Sequence, residues 1–300
     1  MATLTTGQLS LPNQILDPWL GKVKGGSVLA QLSPAIPMKF GAGQAMTFDI
    51  GEAEYVGEGA NKGGSTVTPS TQTVKPFKFH KTVRMTEEVK WADEDDRVEV
   101  VNQILEAIQP ALSRALDFGG IHGINPTGGA EVAAMNQRIS SATNQVERVS
   151  TDKPYANLDA ADALVLASRY VPSGFALDTA LASKFGALRG TQSEQKLYPD
   201  FRLTTETSQL ENHTASVSNT VQALGVAAAP TNLLGIVGDF GSFRWGIQRQ
   251  IGLELIEYGD PDGGGDLKRN NQIAFRAEVV YGWGIADLNA FSLIVDKVAG

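Results

Sequence analysis

Cysteine is absent from the 300-residue chain. That excludes disulfide frameworks, thiolate zinc sites, iron–sulfur clusters and thiol nucleophiles, and it fits a reducing compartment. Histidine is scarce. His80, His122 and His213 are the only three, with no close pair and no HExxH run among them, so a metal centre has little to build on. Charge is also sparse, at 19% of residues against about 25% in an ordinary soluble domain. The balance, 25 basic against 33 acidic side chains, leaves a net charge of −8. That sign argues against nucleic acid as the main ligand, because phosphate contacts need a basic footprint. No long apolar run is present. The best one, Val221–Gly238, is broken by Pro230-Thr231-Asn232; each half is too short to span a bilayer and reads as a short core element. The first residues, Met1–Thr6, carry neither a basic region nor an apolar stretch, which is unlike a secretory signal.

Catalytic and cofactor signatures are missing too. There is no GxSxG elbow, no GxxxxGKS/T loop and no GxGxxG after a strand, so neither a nucleophile nor a phosphate cradle is indicated. No cofactor is expected. Asp117-Phe118-Gly119 and Asp239-Phe240-Gly241 both spell a kinase metal-binding tripeptide, but the Gly-rich loop, strand Lys and HRD loop of a kinase are absent. The first reads as a helix terminus and the second as a turn. Asp93–Asp96 reads as acidic bias at a helix start rather than a cation site. Asp260, Asp262 and Asp266 lack the closing bidentate Glu of a calcium loop and read as a hairpin turn. Asn212-His213-Thr214 matches a glycosylation acceptor by chance. A hydrolase built on carboxylates such as Glu87 and Glu88 has no supporting motif.

What is present is 42% hydrophobic residues and 32 glycines, enough for a sizeable core and many turns. Residues 1–40, punctuated by Pro12, Pro18, Pro34 and Pro37, read as an extended arm, with a short helix at Ser27–Leu32 that Ser27 is placed to cap. Such an arm must lie on another part of the chain or on another subunit. Residues 46–85 read as a long two-stranded excursion. Thr47–Ile50 and Glu54–Val56 are strand-like, and Gly57–Ser65 is a polar, Gly-rich tip. On the return limb Phe77, Phe79, Lys81, Val83 and Met85 alternate with Lys78, His80, Thr82 and Arg84. The arm and the excursion read as lacking internal partners, which points to exchange between identical neighbours.

Thr86 is placed to cap a short helix over Glu87–Trp91. A long helix follows at Arg97–Phe118, where Val98, Val101, Leu105, Ile108, Leu112 and Ala115 form one apolar stripe. Pro110 lies inside it, and Gly119-Gly120 is expected to end it. Residues 123–238 form an α/β region. It has a turn at Asn125–Gly129, a helix over Leu158–Tyr170 capped by Asn157 or Asp159, a strand at Phe175–Leu177 and a helix from Thr179 to Leu188. A loop over Arg189–Gln209 and a strand at Leu233–Val237 complete it. Residues 239–300 read as strands around Ile247–Leu255, Phe275–Trp283 and Phe291–Val295, with a turn at Asp260–Asp266.

Four segments in this order carry a resemblance. Glu54-Tyr55-Val56-Gly57-Glu58-Gly59, then Val74–Phe77 running on to Met85–Glu88, then Gly238–Ser242, and finally Phe275–Glu278 through Ala290-Phe291 resemble the major capsid proteins of tailed double-stranded-DNA bacteriophages. The resemblance implies an α+β, HK97-type fold. Its parts would be an N-arm (1–40), an extended β-hairpin E-loop (41–85), a peripheral domain with a long spine helix (86–120), an axial domain (121–238) and late strands returning to both domains (239–300). It implies a shell of hexamers and pentamers on an icosahedral lattice, enclosing DNA without sequence-specific binding. The protein would be part of the virion, assembled in the host cytoplasm, and neither an enzyme nor a membrane protein. E-loops would lie over neighbouring subunits, making Glu52, Glu54, Tyr55, Glu58, Lys62, Phe77 and Phe79 candidate inter-subunit contacts. Because the arm starts at once, the resemblance implies a separate scaffolding protein, or none, with portal and decoration proteins as further candidate partners. No crosslink through Lys62 and Asn270 or Asn271 is expected. The rival readings are an encapsulin-like compartment, which shares the fold, and a β-rich tail or adhesion protein, against which the long helix speaks.

Overall fold

A computed structural model of the chain describes residues 26–38, 43–49, 53, 55–59, 61–62, 64, 68–87, 97–148, 153–190 and 195–296. The helices are α1 (Val28–Leu32), α2 (Arg97–Asp117), α3 (Pro154–Ala167) and α4 (Thr179–Ala187). The strands are β1 (Gly43–Asp49), β2 (Thr68–Thr86), β3 (Gln145–Glu147), β4 (Gly174–Leu177) and β5 (Ser208–Leu210). They continue with β6 (His213–Val217), β7 (Leu233–Gly238), β8 (Phe243–Ile256), β9 (Gln272–Ile285) and β10 (Phe291–Val295).

The long alternating stretches build an antiparallel four-stranded sheet in the order β1-β2-β9-β8. β9 lies between β2 and β8 and is mostly buried on both faces, Glu278 included. Part of its cover comes from residues 35–38. Ala35 bridges Trp245, Ile36 N–H donates to the Trp245 carbonyl at 2.8 Å, and Met38 sits over Gly282. A Cβ on Gly246 would stand 2.3 Å from the Ile36 carbonyl oxygen, so only glycine admits this crossing. The shorter apolar segments build a mixed six-stranded sheet, β3-β10-β7-β4-β6-β5, with the pairs β10–β3 and β4–β6 parallel. α3 and α4 cover it through Leu158, Ala161, Val165, Leu181 and Phe185, all buried.

Several sequence expectations need correction. The arm is not without partners on its own chain: Val28, Leu29 and Ala30 are fully buried between the two sheets and α2. Residues 1–25 lie outside the described residues. The excursion is likewise anchored. Lys75–Thr86 pairs with β9 residue for residue, and only the hairpin of β1 with Thr68–Val74 extends beyond that. Tyr55 and Val56 are not in a strand, and Glu87 is a turn; the rest of the helix expected at Glu87–Trp91 and the acidic run Asp93–Asp96 lie outside the described residues.

α3 begins at Pro154, before both expected caps, because Pro at the first helical position pre-sets the backbone there. It ends at Ala167, before the expected Tyr170. Of the two core elements expected across Val221–Gly238, only the second forms a strand; the first is a series of turns. The described part of the expected Arg189–Gln209 loop holds no strand before Ser208; there the β5–β6 hairpin begins, too short to leave a periodic signal.

Gly119-Gly120 does not stop the long helix. The chain continues as a buried π-helical turn, Phe118–His122, and stops at Gly123 with φ 68°. The two glycines serve close packing: a Cβ on Gly119 would lie 2.5 Å from the Trp283 ring, and one on Gly120 2.7 Å from Leu29. Gly119→Ala is therefore expected to destabilise the subunit by about 1–3 kcal/mol through overpacking, against the usual gain for Gly→Ala in a helix. A chemical denaturation midpoint at or above wild type would contradict this.

Candidate assembly surfaces

The root of the arm is fixed by a buried carboxylate. Ser27 caps α1, accepting from the Ala30 N–H at 3.1 Å, and its own hydroxyl donates to Asp117 at the end of α2. Asp117 also accepts from the Val28 and Leu29 N–H groups, both at 3.1 Å, and from the Thr220 hydroxyl at 2.7 Å. Burial pushes its pKa up, while the donated hydrogen bonds hold it down. Three distant segments meet on one side chain. Nothing in the local pattern marks Asp117 for this, since it reads as part of a helix terminus.

His122, one turn on, is 5% exposed, and its Nε2 lies 3.1 Å from the Thr220 carbonyl. Burial lowers its pKa below the ordinary histidine value. The unfolded chain then binds the proton more readily, so stability is complete above about pH 6.5 and is lost as pH falls below it. Each pH unit in that window costs at most about 1.4 kcal/mol. Melting temperatures measured between pH 7.5 and 5 should fall, and His122→Gln should flatten the slope; an unchanged slope would remove His122 as its source.

The turn joining β8 and β9 is clasped to β2. Arg84 donates to Asp260 and Gly265 at 3.1 and 3.0 Å, to Gln272 at 2.9 Å and twice to Asp262. The Arg84 guanidinium holds the Asp262 carboxyl below its ordinary value. Arg276 donates to the Pro261 carbonyl at 2.6 Å, and Lys268 pairs with Glu87 at 3.3 Å. The three aspartates in this turn are thus engaged in shaping it: Asp260 and Asp262 by Arg84, and Asp266 by the Arg269 N–H. Among the described residues no cluster of acidic or imidazole side chains is arranged to hold a metal.

The expected contact residues separate into two groups. Tyr55 is 92% exposed, and Glu58 and Lys62 are also exposed, all beyond the end of the β1–β2 hairpin. Glu52 and Glu54 lie outside the described residues. Phe77 and Phe79, by contrast, pack inward. Phe77 lies 4.5 Å from the Trp283 ring, and Phe79 is 9% exposed in the main core, so both rings pack against their own subunit. Further apolar side chains unmarked in the sequence stand in solvent: Val171 at 75% and Leu224 at 74%, with Leu166, Leu197 and Leu203 more than half exposed. Their signal is tertiary, since each sits in a stretch that could equally be core. No helix among the described residues is long and apolar enough to cross a membrane.

A cleft of about 630 Å³ lies between β2 and α2. Phe79, Leu112, Phe118 and Met135 contribute apolar walls; Lys81 and Arg114 contribute charge. Such a fold, with a hairpin that extends past the β2–β9 pairing, suits contact between large surfaces.

Comparison with known proteins bears on this. The family model described as "Phage capsid family" matches residues 7–296. A solved structure from Mycobacterium phage Ogopogo is 41% identical, with a TM-score of 0.78, covering 99% of this chain and 100% of that one. One from Gordonia phage Cozz is 27% identical, TM-score 0.71, over 91% and 87%. The capsid of a native GTA particle shares the fold, at 15% identity, TM-score 0.56 and coverage of 99% and 96%. No curated protein sequence matches. These matches favour a phage shell over the compartment alternative, and the fold is of the HK97 type. The chain belongs to the phage capsid family, and its role is that of a structural, major capsid shell protein.

Proposed function

We propose that this chain assembles into the hexamers and pentamers of an icosahedral phage head that encloses double-stranded DNA without reading its sequence. The observation that carries this is the hairpin beyond Val74 in a chain matched to the family over residues 7–296. It runs on past the pairing with β9 to Tyr55 and Glu58, which are exposed among the described residues. On this reading residues 1–40 form the N-arm, 41–85 the E-loop, 86–120 the spine-helix part of the peripheral domain, 121–238 the axial domain and 239–300 the late strands. Glu52, Glu54, Tyr55, Glu58 and Lys62 are the contact set. The net negative charge suits loose enclosure of DNA rather than tight phosphate binding. The subunit does no chemistry. Assembly takes place in the host cytoplasm, with a separate scaffolding protein or none, and the head meets portal and decoration proteins.

Shell energetics fit a subunit without disulfides. Obligate interfaces bury on the order of 2,000–5,000 Å², and at about 25 cal/mol per Å² of apolar area even half of that outweighs the cost of association. The test is negative-stain electron microscopy of the expressed chain, alone and with neighbouring phage genes. Closed shells or six-fold rings are expected; a chain monomeric in both preparations overturns the reading.

A further inference from the structure

We propose that Tyr281 is the reserve partner of Asp117. When α1 leaves its seat, the Tyr281 hydroxyl takes over the carboxylate, so the arm root is a strap with two supported positions. The docked position is the one described above. The inference concerns the second position and stands apart from the shell reading.

In the docked position Asp117 is saturated. Its Oδ1 accepts from the Ser27 hydroxyl and the Leu29 N–H, and its Oδ2 from the Val28 N–H and the Thr220 hydroxyl. Two donors on each oxygen fill the roughly four acceptor positions of a carboxylate. Three of those donors belong to α1 and its cap; the fourth, Thr220, lies far along the chain. Release of α1 therefore strips Oδ1 of both its donors and Oδ2 of one. A carboxylate left bare in an apolar core is costly.

A donor stands ready beside it. Tyr281 lies on the face of β9 that meets the end of α2, where Trp283, two residues on, touches Gly119. Its ring is fully buried against Phe79 and Trp245, with centroids 6.0 and 6.4 Å apart. Its hydroxyl is buried too and has no hydrogen-bond partner among the described residues. A buried tyrosine hydroxyl ordinarily has one, and a phenylalanine would fill the same space without stranding an oxygen. Burial and then the Asp117 charge push the phenol's pKa up; Asp117 is the charge that bears on this hydroxyl. The saturation of Asp117 accounts for the stranded donor: the acceptor it faces is full while α1 is docked.

α1 is also placed to leave as a unit. Its five residues are too few to hold a helix unaided, so its order comes from the seat. There Val28, Leu29 and Ala30 are fully buried, and Gly26 lies so close to α2 that a Cβ on it would stand 2.6 Å from that of Ser113. The next anchor is separate. The Ser33 carbonyl accepts from Trp245 Nε1 at 3.2 Å, and the Ile36 N–H donates to the Trp245 carbonyl at 2.8 Å. Trp245 thus keeps the chain from Ser33 onward while α1 turns about it. The docked position strands one hydroxyl and the released position serves the carboxylate, and both effects narrow the free-energy gap between the two.

Hydrogen exchange on the full-length chain reads both positions. Peptides across Ser27–Leu32 report release of α1, and peptides across Leu233–Gly238, in β7, report global opening; in wild type the first should exchange faster. Tyr281→Phe should slow exchange of Ser27–Leu32 by about tenfold or more, because the docked position no longer strands a hydroxyl and the released one loses its bond to Asp117. In an Asp117→Asn background the same substitution should slow it less than about threefold, since the charge-assisted acceptor is gone. Exchange of Ser27–Leu32 that Tyr281→Phe leaves unchanged, or slows equally in the Asp117→Asn background, overturns the proposal. Equal protection of the two peptides in wild type does so too, because α1 then has no released state of its own. Tyr281→Phe keeps the ring and its packing, so its melting temperature should equal or exceed wild type; a lower one would show the hydroxyl bonded in the docked position and would also overturn the proposal.

Discussion

Replacing Asp117 with alanine is expected to lower the melting temperature of the subunit by about 10 °C. The side chain accepts from two hydroxyls and two backbone N–H groups, all buried. Removing it strands those donors, at about 1–3 kcal/mol each. Relief of the buried charge offsets part of this. A net loss of about 3 kcal/mol remains, and at about 2–4 °C per kcal/mol for a chain of this size the shift follows. The damage should be local as well as global. Ser27–Ala30 N–H groups should exchange hydrogen faster than those of β7, because α1 loses the anchor that holds it to α2. Asp117→Asn should fall between, since its amide nitrogen cannot accept. A melting temperature within about 2 °C of wild type for the alanine variant would show that the network does not carry the arm root.

Deleting residues 57–66 is expected to abolish shell closure while leaving a soluble, folded subunit. The segment lies beyond the last β1–β2 pair, Asp49 with Thr68, and its described residues are exposed or half-buried. Its loss removes little from the core and should move the melting temperature by no more than a few degrees. Assembly is a different quantity. Each subunit interface adds a modest free energy that is multiplied around a closed lattice, so losing one recurring contact changes particle yield by orders of magnitude. Electron microscopy and a thermal melt of the same preparation separate the two effects. Normal particles from the deletion would remove the segment from the contact set; an unfolded chain would show that it has a structural role within the subunit.

Local periodicity carried much of this architecture, because the burial pattern of a single element is written in its own residues. The period-two return limb became β2, the apolar stripe ending in Ile108, Leu112 and Ala115 became the buried face of α2, and Ser27 caps α1 as its position before an apolar run suggests. The tripeptide beginning at Asp239 is a capped turn, as read. The order of four resembling segments also led to the family.

Other features depend on what packs against what, and no short window records that. A glycine pair that ends a helix and one that admits a tryptophan ring look identical in sequence; Trp283, more than 160 residues away, decides for Gly119. Phe77 and Phe79 sit on an alternating strand whichever way it faces, and only the approach of α2 and Trp283 turned them inward. An arm rich in proline has no core of its own, but its last third found one between the sheets because Asp117 and Thr220 converge there. The cleft beside β2 has the same origin. Its charge and its apolar walls come from segments far apart in sequence, and it exists only where β1 stops and α2 passes by.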